Sequence, residues 1–309
     1  MKIFYGTEQL SLYSKAVITI GTFDGVHQGH KKILQSVVSA AKEIGGTSVL
    51  ITFNPHPRKL IFPNEPLKLL STIEERLALV EDAGIDIAVV VPFTMEFAAM
   101  SADNYIRNFI VKIFKPSLII IGYDHHFGHD RTGDITMLRR YSEQYEFEVR
   151  EISAQLISEA AVSSTQVRKA IIAGSVELAR QMLGETYSIS GMVVKGSQRG
   201  RTIRFPTANI ELPDEDKLVP KQGVYAVQVL VGNQVFDAML NIGLNPTVTA
   251  DAEQKIEVHI FDFDQDIYGQ TVFISFVSRL RDEVKFESLE ALKAQLAEDM
   301  RQAKLALQQ

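Results

Sequence analysis

Cysteine is absent from the 309 residues, which excludes a disulfide framework and any thiolate-held metal. No run of about 18 apolar residues occurs, so no membrane-spanning helix and no membrane partner is expected. Met1 to Gly6 lack the long apolar stretch of a secretory leader. Together these absences make the cytoplasm the expected location. An excess of positive charge is missing as well, since the formal net charge is −6. That argues against a nucleic-acid partner, because gripping a phosphate backbone needs many lysines and arginines on one face. There is also no Gly-x-x-x-x-Gly-Lys-Ser/Thr segment, so a P-loop phosphate site is excluded.

What is present divides into two halves. Hydrophobic content of 46% and charged content of 23% are ordinary globular values, and the length is comfortable for two domains. Up to about residue 182, short apolar strands are predicted at 16–20, 47–53, 87–91, 117–121 and 147–151. Helices are predicted between them, at about 30–44, 72–83, 101–114 and 133–144, and Ser71-Thr72-Ile73-Glu74 reads as a capping box. Strands apolar on both faces, alternating with helices, predict a parallel, doubly wound, Rossmann-like α/β sheet. In such sheets ligands bind beyond the carboxyl ends of the strands.

After Leu183-Gly184-Glu185-Thr186 the hydrophobic period changes to two. Strands are predicted at 187–194, 205–210, 223–231, 234–242, 255–261 and 270–277, with Gly232-Asn233 as a hairpin turn. Six closely spaced strands predict a small closed β-barrel. A final helix opens near Ser288, with Leu289, Leu292, Leu296 and Met300 as its core stripe. The expected domains are 1–182 and 183–309.

The densest chemical signal is Gly21-Thr22-Phe23-Asp24-Gly25-Val26-His27-Gln28-Gly29-His30, between the first strand and the first helix. His27 and His30 flank the free N–H groups of a helix start, a place that favours an anion such as a triphosphate. Gly21, Gly25 and Gly29 remove side chains where backbone must pass close to phosphate. Imidazoles stand where a P-loop has lysine, which points to nucleotidyl transfer.

Other candidates lie after later strands. His56, in Asn54-Pro55-His56-Pro57, is held in a loop stiffened by two prolines. Gly122-Tyr123-Asp124-His125-His126-Phe127-Gly128-His129-Asp130 offers histidines and aspartates that can ligate a metal. Adjacent His125 and His126 point apart, however, and a nucleotide-contact loop is the preferred reading. Ser163-Ser164-Thr165-Gln166-Val167-Arg168 opens a helix. Alone it is an ordinary cap; beside the histidine motif it becomes the second half of a triphosphate clamp. Residues 191–210 carry Lys195, Arg199, Arg201 and Arg204 without an acid, a loop suited to a small anionic ligand. Thr207 and Asn209 share a strand face and offer the hard oxygens that Mg²⁺ takes. Glu257, on an otherwise apolar strand with His259, is either a general base or a solvated carboxylate. Asp262 to Asp266 imitate the start of a calcium loop, but Ile267 stands where glycine is required, so this is a surface loop.

Taken together, these segments resemble the bifunctional bacterial riboflavin kinase/FAD synthetase family along essentially the whole chain. To them the resemblance adds Gly200-Arg201, Gly223-Val224-Tyr225, Asn245-Pro246-Thr247, and Arg281 with Glu283. It implies an N-terminal domain that transfers AMP from ATP to FMN, giving FAD and pyrophosphate. The barrel would phosphorylate riboflavin with ATP to FMN, with Mg²⁺ as cofactor. The resemblance assigns catalysis to His27, His30 and Glu257. ATP and its phosphates fall to Gly21, Phe23, Gly25, Gly29, Ser164, Thr165 and Arg168, and in the barrel to Lys195, Gly196 and Arg201. Mg²⁺ falls to Thr207 and Asn209, and the flavin or substrate cleft to Asn54, His56, Asp124 and Arg281. Two departures stand out: Arg204 replaces the family's usual glycine, and His125-His126 replace Phe and Arg or Thr. Two alternatives stay open, another His-x-Gly-His adenylyltransferase with an accessory barrel and a non-catalytic flavin or nucleotide sensor.

Overall fold

The computed structural model describes residues 1–8, 10, 14–153, 162–196, 203, 205–244 and 254–308. The chain forms two compact units, Met1–Ser164 and Thr165–Gln309.

The first unit is built in the order β1 (Lys2–Tyr5), β2 (Ala16–Ile20), α1 (Gln28–Ile44), β3 (Thr47–Asn54), α2 (Pro57–Ile61), α3 (Ile73–Asp82) and β4 (Ile87–Pro92). There follow α4 (Met95–Ala98), α5 (Ala102–Asn104), a π-helix (Tyr105–Phe114), β5 (Pro116–Gly122), a 3-10 turn (His129–Arg131), α6 (Ile135–Tyr145) and β6 (Glu148–Ile152). The sheet is parallel throughout, in the order β1-β4-β3-β2-β5-β6. All five residues of β2 are buried because it is central and covered on both faces. Ile18, Val49, Ile51 and Ile119 pack on one side with Tyr105 and Phe109. Val17, Leu50, Leu118 and Ile120 pack on the other, against Ile33, Leu34 and Val37 of α1.

The strand order turns at β2. From there the chain goes one way to β3 and β4, and the other way to β5 and β6. A crevice opens at such a switch point, and the segments after β2 and after β5 flank it. These are Gly21–His30 and the loop from Gly122 to Asp130.

Three local expectations are corrected. The sheet has a sixth strand, β1, a four-residue edge (Lys-Ile-Phe-Tyr) with mostly exposed side chains, too short to show a period. The capping box belongs to Thr72 and Glu75, whose reciprocal side-chain bonds are 3.2 and 3.0 Å. Ser71 is occupied elsewhere, as described below. The helix expected over 101–114 is largely π-helical, and its wider turn sets Tyr105 against Phe109 (5.2 Å) and Phe109 against Phe114 (5.4 Å).

The second unit begins with α7 (Ser164–Ala173, its first residue counted with the first unit) and α8 (Val176–Leu183). It continues with β7 (Ser188–Val194), β8 (Ala208–Glu211), β9 (Gly223–Val231), β10 (Gln234–Leu244), β11 (Gln254–Ile260), β12 (Thr271–Arg281) and α9 (Leu289–Leu307). The strands close an antiparallel barrel in the order β10-β11-β8-β7-β12-β9. The hairpin at Gly232, with φ of 59°, joins β9 to β10. β8 starts at Ala208 rather than 205, since Pro206 has no N–H for a ladder. α9 covers one barrel face, packing Leu296, Met300 and Ala303 against Ala226, Met239 and Phe261. Leu289, expected in that stripe, is exposed, because it opens the helix ahead of the packed turns.

Candidate active sites

A cleft of about 830 Å³ lies at the switch point of the first unit, within the range of small-molecule sites. Gly21, Phe23, His27, Gly29 and His30 form one wall, and Asp124 to Arg131 another. His56, Arg58 and Ser163 also line it, and Phe62, Phe93, Met95, Phe97 and Tyr105 supply an apolar side. Gly25 lies beneath that surface: its φ is +75°, and a Cβ there would stand 2.7 Å from Leu70. Asn54 is exposed at the end of β3, and its carbonyl accepts from the N–H of Phe93 at 3.1 Å.

His27 is buried and caps α1, its Nδ1 accepting the backbone N–H of His30 at 3.4 Å. An accepting Nδ1 leaves the proton of neutral imidazole on Nε2, which is then a donor. The two imidazoles stack at 3.7 Å, and His30 also lies 4.8 Å from the Phe23 ring. Burial holds the His30 pKa well below the usual histidine value, helped by His27 and Arg76. His30 is thus neutral, and its buried Nδ1 has no hydrogen-bond partner. His56 plays a similar local part, capping α2 through an Nδ1 that accepts from the Arg58 N–H at 3.2 Å.

The loop rests on a buried polar platform. The Asp24 carboxylate accepts from Leu70 N–H (3.1 Å), Ser71 N–H (3.0 Å) and the Ser71 hydroxyl (3.1 Å). The same hydroxyl accepts the Gly25 N–H at 3.0 Å. The Ser164 hydroxyl donates to the Asp24 carbonyl at 3.0 Å, which brings the first residue of α7 to the motif. Thr165 is exposed and Arg168 half-buried further along α7.

In the loop after β5, His125 tilts against Phe127 at 5.9 Å and has a buried, unpartnered Nε2. Burial lowers its pKa to about 4, with Asp124 opposing and His126 and Arg131 assisting. Asp124, His126 and His129 are exposed. Among the described residues no three His, Asp or Glu side chains are grouped to hold a metal.

The two depressed histidines set an acid limit. Unfolded histidine takes up a proton near pH 6.5, whereas native His125 resists until about pH 4. Stability is therefore full above pH 6.5 and falls as pH drops toward 4, by up to about 3 kcal/mol from His125. Urea melts at pH 7.5 and pH 5 are expected to show the first unit unfolding earlier at pH 5. Equal midpoints would contradict the burial of these rings.

The barrel carries a second cleft, of about 390 Å³, on the face covered by α9. Register pairs Asn241 with Glu257, Glu257 with Asn209, and Asn209 with Val194. Directly paired residues share a face, so Asn241, Glu257 and Asn209 form one polar row. Thr207, Asn241, Lys255, Glu257, His259 and Arg281 line the cleft. Lys255 Nζ donates to Glu257 Oε1 at 2.8 Å. His259 Nδ1 lies 2.7 Å from the Pro206 carbonyl, which can only accept, so the histidine donates and pins the segment carrying Thr207. A Cβ at Gly196 would stand 2.0 Å from the Asn209 amide, so any side chain there would displace that amide. Lys195 is exposed, and Arg201 lies outside the described residues.

Arg281 is engaged within the protein. Its Nε and Nη2 meet the buried Asp299 carboxylate at 2.8 and 2.6 Å, and its Nη1 donates to the Asp282 carbonyl at 2.9 Å. Gln295 adds a bond to Asp299 at 2.9 Å. The guanidinium thus ties β12 to α9 beside the cleft. Arg281→Ala is expected to destabilise the barrel by roughly 3 kcal/mol, because Asp299 would stay buried without its counter-charge. A thermal melt checks this; an unchanged transition would contradict it.

Thr52, Arg76, Asn241, Lys255 and Asp299 were not singled out from the sequence, and Ser71 was read only as a helix cap. Only Asn241, a lone polar residue in Leu240-Asn241-Ile242, left a local signal. Lys255 acts on Glu257 two residues along its own strand, and the others act through elements distant in sequence. Among the described residues no helix is long and apolar enough to cross a membrane.

Comparison with known proteins finds two families along the chain. Residues 10–166 match the FAD synthetase family and residues 183–307 the riboflavin kinase family. The bifunctional riboflavin kinase/FMN adenylyltransferase of Escherichia coli K12 is 36% identical, over 97% of this chain and 96% of its own. The protein of that name from Listeria monocytogenes is 37% identical over 92% and 90%. A Streptococcus pneumoniae crystal structure, described as a macrolide-efflux protein, has TM-score 0.90 and 32% identity, covering 98% of this chain and 99% of that one. With both families matched in order and such relatives spanning nearly its full length, this chain belongs to the bifunctional riboflavin kinase/FMN adenylyltransferases, transferases that use ATP to convert riboflavin to FMN and FMN to FAD.

Proposed function

We propose that the two clefts divide the two reactions, adenylyl transfer at the switch point and phosphorylation beneath α9. The observation that carries this is the stacked His27–His30 pair at the amino end of α1, inside a cleft with an aromatic side. The functional domains are 1–182 and 183–309.

In the first cleft, the triphosphate of ATP lies at the amino end of α1. A phosphate oxygen of FMN attacks the α-phosphorus; that P–O bond forms as the bond to the β-phosphate oxygen breaks. Pyrophosphate leaves with the electron pair. The nucleophile is already an anion, so no base is needed. The Nε2–H of His27 and the neutral imidazole of His30 face the charge that develops on the leaving group. Gly21 and Gly29 admit the phosphates and Phe23 backs His30, while Gly25 and Ser164 hold the loop. Thr165 and Arg168 keep the phosphate assignment read from the sequence. His56 and Asp124 line the nucleotide and flavin ends, with Asn54 at their edge. Exposed Ile61, Phe62, Met95 and Tyr123 offer the flavin ring an apolar rest.

In the barrel, Glu257 takes the proton of the riboflavin 5′-hydroxyl as that oxygen attacks the γ-phosphorus. The bond to the β-phosphate oxygen breaks and ADP leaves with the electron pair. Lys255 occupies one carboxylate oxygen, which leaves the other to receive the proton. Lys195, Gly196 and Arg201 are assigned to the ATP phosphates, and Arg281 shapes the flavin cleft through α9. Thr207 and Asn209 would hold Mg²⁺: their oxygens are of the hard type it takes, and Gly196 leaves room beside the Asn209 amide. When bound, the ion neutralises phosphate charge. Both reactions draw on ATP, which supports a cytoplasmic location.

Incubation with riboflavin and MgATP, followed by chromatography, is expected to yield FMN and then FAD. A folded chain that leaves riboflavin unchanged would overturn the reading.

A further inference from the structure

The turn that aims His27 and His30 is strained. Phe23 has φ of 48° and Val26 of 36°, and neither is a glycine. Such backbone persists only where its surroundings over-determine it, and it gathers at functional sites. The constraint comes from Asp24, Ser71 and Gly25, through the bonds described above, and from Arg76 on α3. Arg76 is 2% exposed and Asp24 0%. The Arg76 Nη2 lies 3.9 Å from Asp24 Oδ1. Its Nη1 donates to the Thr52 hydroxyl at 3.3 Å and the Phe53 carbonyl at 3.4 Å. The Thr52 hydroxyl in turn donates to the Thr22 carbonyl at 3.1 Å. One guanidinium therefore joins the start and the middle of the strained turn to the carboxyl end of β3.

A buried ion pair is a poor way to gain stability, since well-packed apolar residues do as well or better. We infer that Arg76, through Asp24 and Thr52, is a positioning residue for adenylyl transfer: it fixes the 22–26 turn so that His27 and His30 meet the triphosphate in register. It touches no reacting atom. The inference rests on assigning this cleft to the FMN-to-FAD reaction.

The test uses the full chain with Arg76→Met, the double variant Asp24→Asn/Arg76→Met, and Thr52→Val. The double variant removes both charges together, so no charge is left buried alone, and it is expected to melt near the wild-type temperature. Thr52→Val preserves shape and strand preference while deleting one bridge. With FMN and MgATP, kcat is expected to fall at least about 10-fold in the double variant and several-fold in Thr52→Val, because a misplacement of even 1 Å is costly. KM for ATP is expected to change less than kcat, and riboflavin phosphorylation by the same molecules to stay at the wild-type rate. Should Arg76→Met fail to fold, the other two variants decide. Wild-type kcat in Thr52→Val and in whichever arginine variant folds would overturn the inference, as would a loss confined to KM. FAD formation by the wild-type chain tests the assignment of the reaction, whereas the variant-to-wild-type ratio tests the positioning role.

Discussion

Glu257→Gln is expected to lower riboflavin phosphorylation by about 10²- to 10⁴-fold, while the same molecules continue to convert supplied FMN to FAD. Glutamine keeps the shape of the side chain and an oxygen that can still accept from Lys255. The pairing of residue 257 with Asn209 and Asn241 is a backbone matter and survives. What is lost is the ability to take a proton. KM for riboflavin should therefore move little while kcat falls. Equal loss of both activities would contradict separate sites, and an unchanged kinase rate would remove Glu257 as the base.

The fold was legible wherever burial imposes a period. Val17, Ile18 and Ile20 read as a central strand because both faces of β2 are covered. The barrel strands read by alternation because one face meets the core. Where a strand is short the signal fades: the four residues of β1, though mostly apolar, are too few to show a period. The π-helix over Tyr105–Phe114 was read simply as a helix, because apolar residues three to five apart satisfy either pitch. The capping box slipped by one residue because Ser71 and Thr72 are equally good caps, and only Asp24, 47 residues away from Ser71, decides between them.

The candidate sites were legible in a similar, partial way. His27 and His30 announce themselves through local spacing at a helix start, and Glu257 through an acid in an apolar strand. Platform residues announce nothing. Arg76 lies in a charged stretch, Ile73-Glu74-Glu75-Arg76, that resembles any solvated helix face until Leu77 and Val80 turn that face inward. Arg281 was read as part of the flavin or substrate cleft, and it lines the barrel cleft, but a sequence cannot show that Asp299 also engages its guanidinium. Gly25 was read as a phosphate contact, although packing against Leu70 suffices to require it.

His30→Ala is expected to reduce FAD formation by about 10²- to 10³-fold, the usual effect of deleting a donor aimed at developing charge, with riboflavin phosphorylation unaffected. The substitution is unusually clean. The α1 cap uses the backbone N–H of residue 30, not its ring, so alanine preserves it. The lost Nδ1 had no partner to abandon. His27→Ala is a poorer probe, because it deletes the capping acceptor and destabilises α1 by about 1 kcal/mol, mixing folding with catalysis. Neutral His30 also predicts a pH signature. Its proton affinity is depressed by burial, His27 and Arg76, so wild-type adenylylation should show no loss from titration of this ring between pH 6 and 8. An acid limb near pH 6.5 that disappears in His30→Ala would mean the ring titrates normally and works as a cation. Persistence of the wild-type FAD rate in the variant would remove His30 from the chemistry altogether.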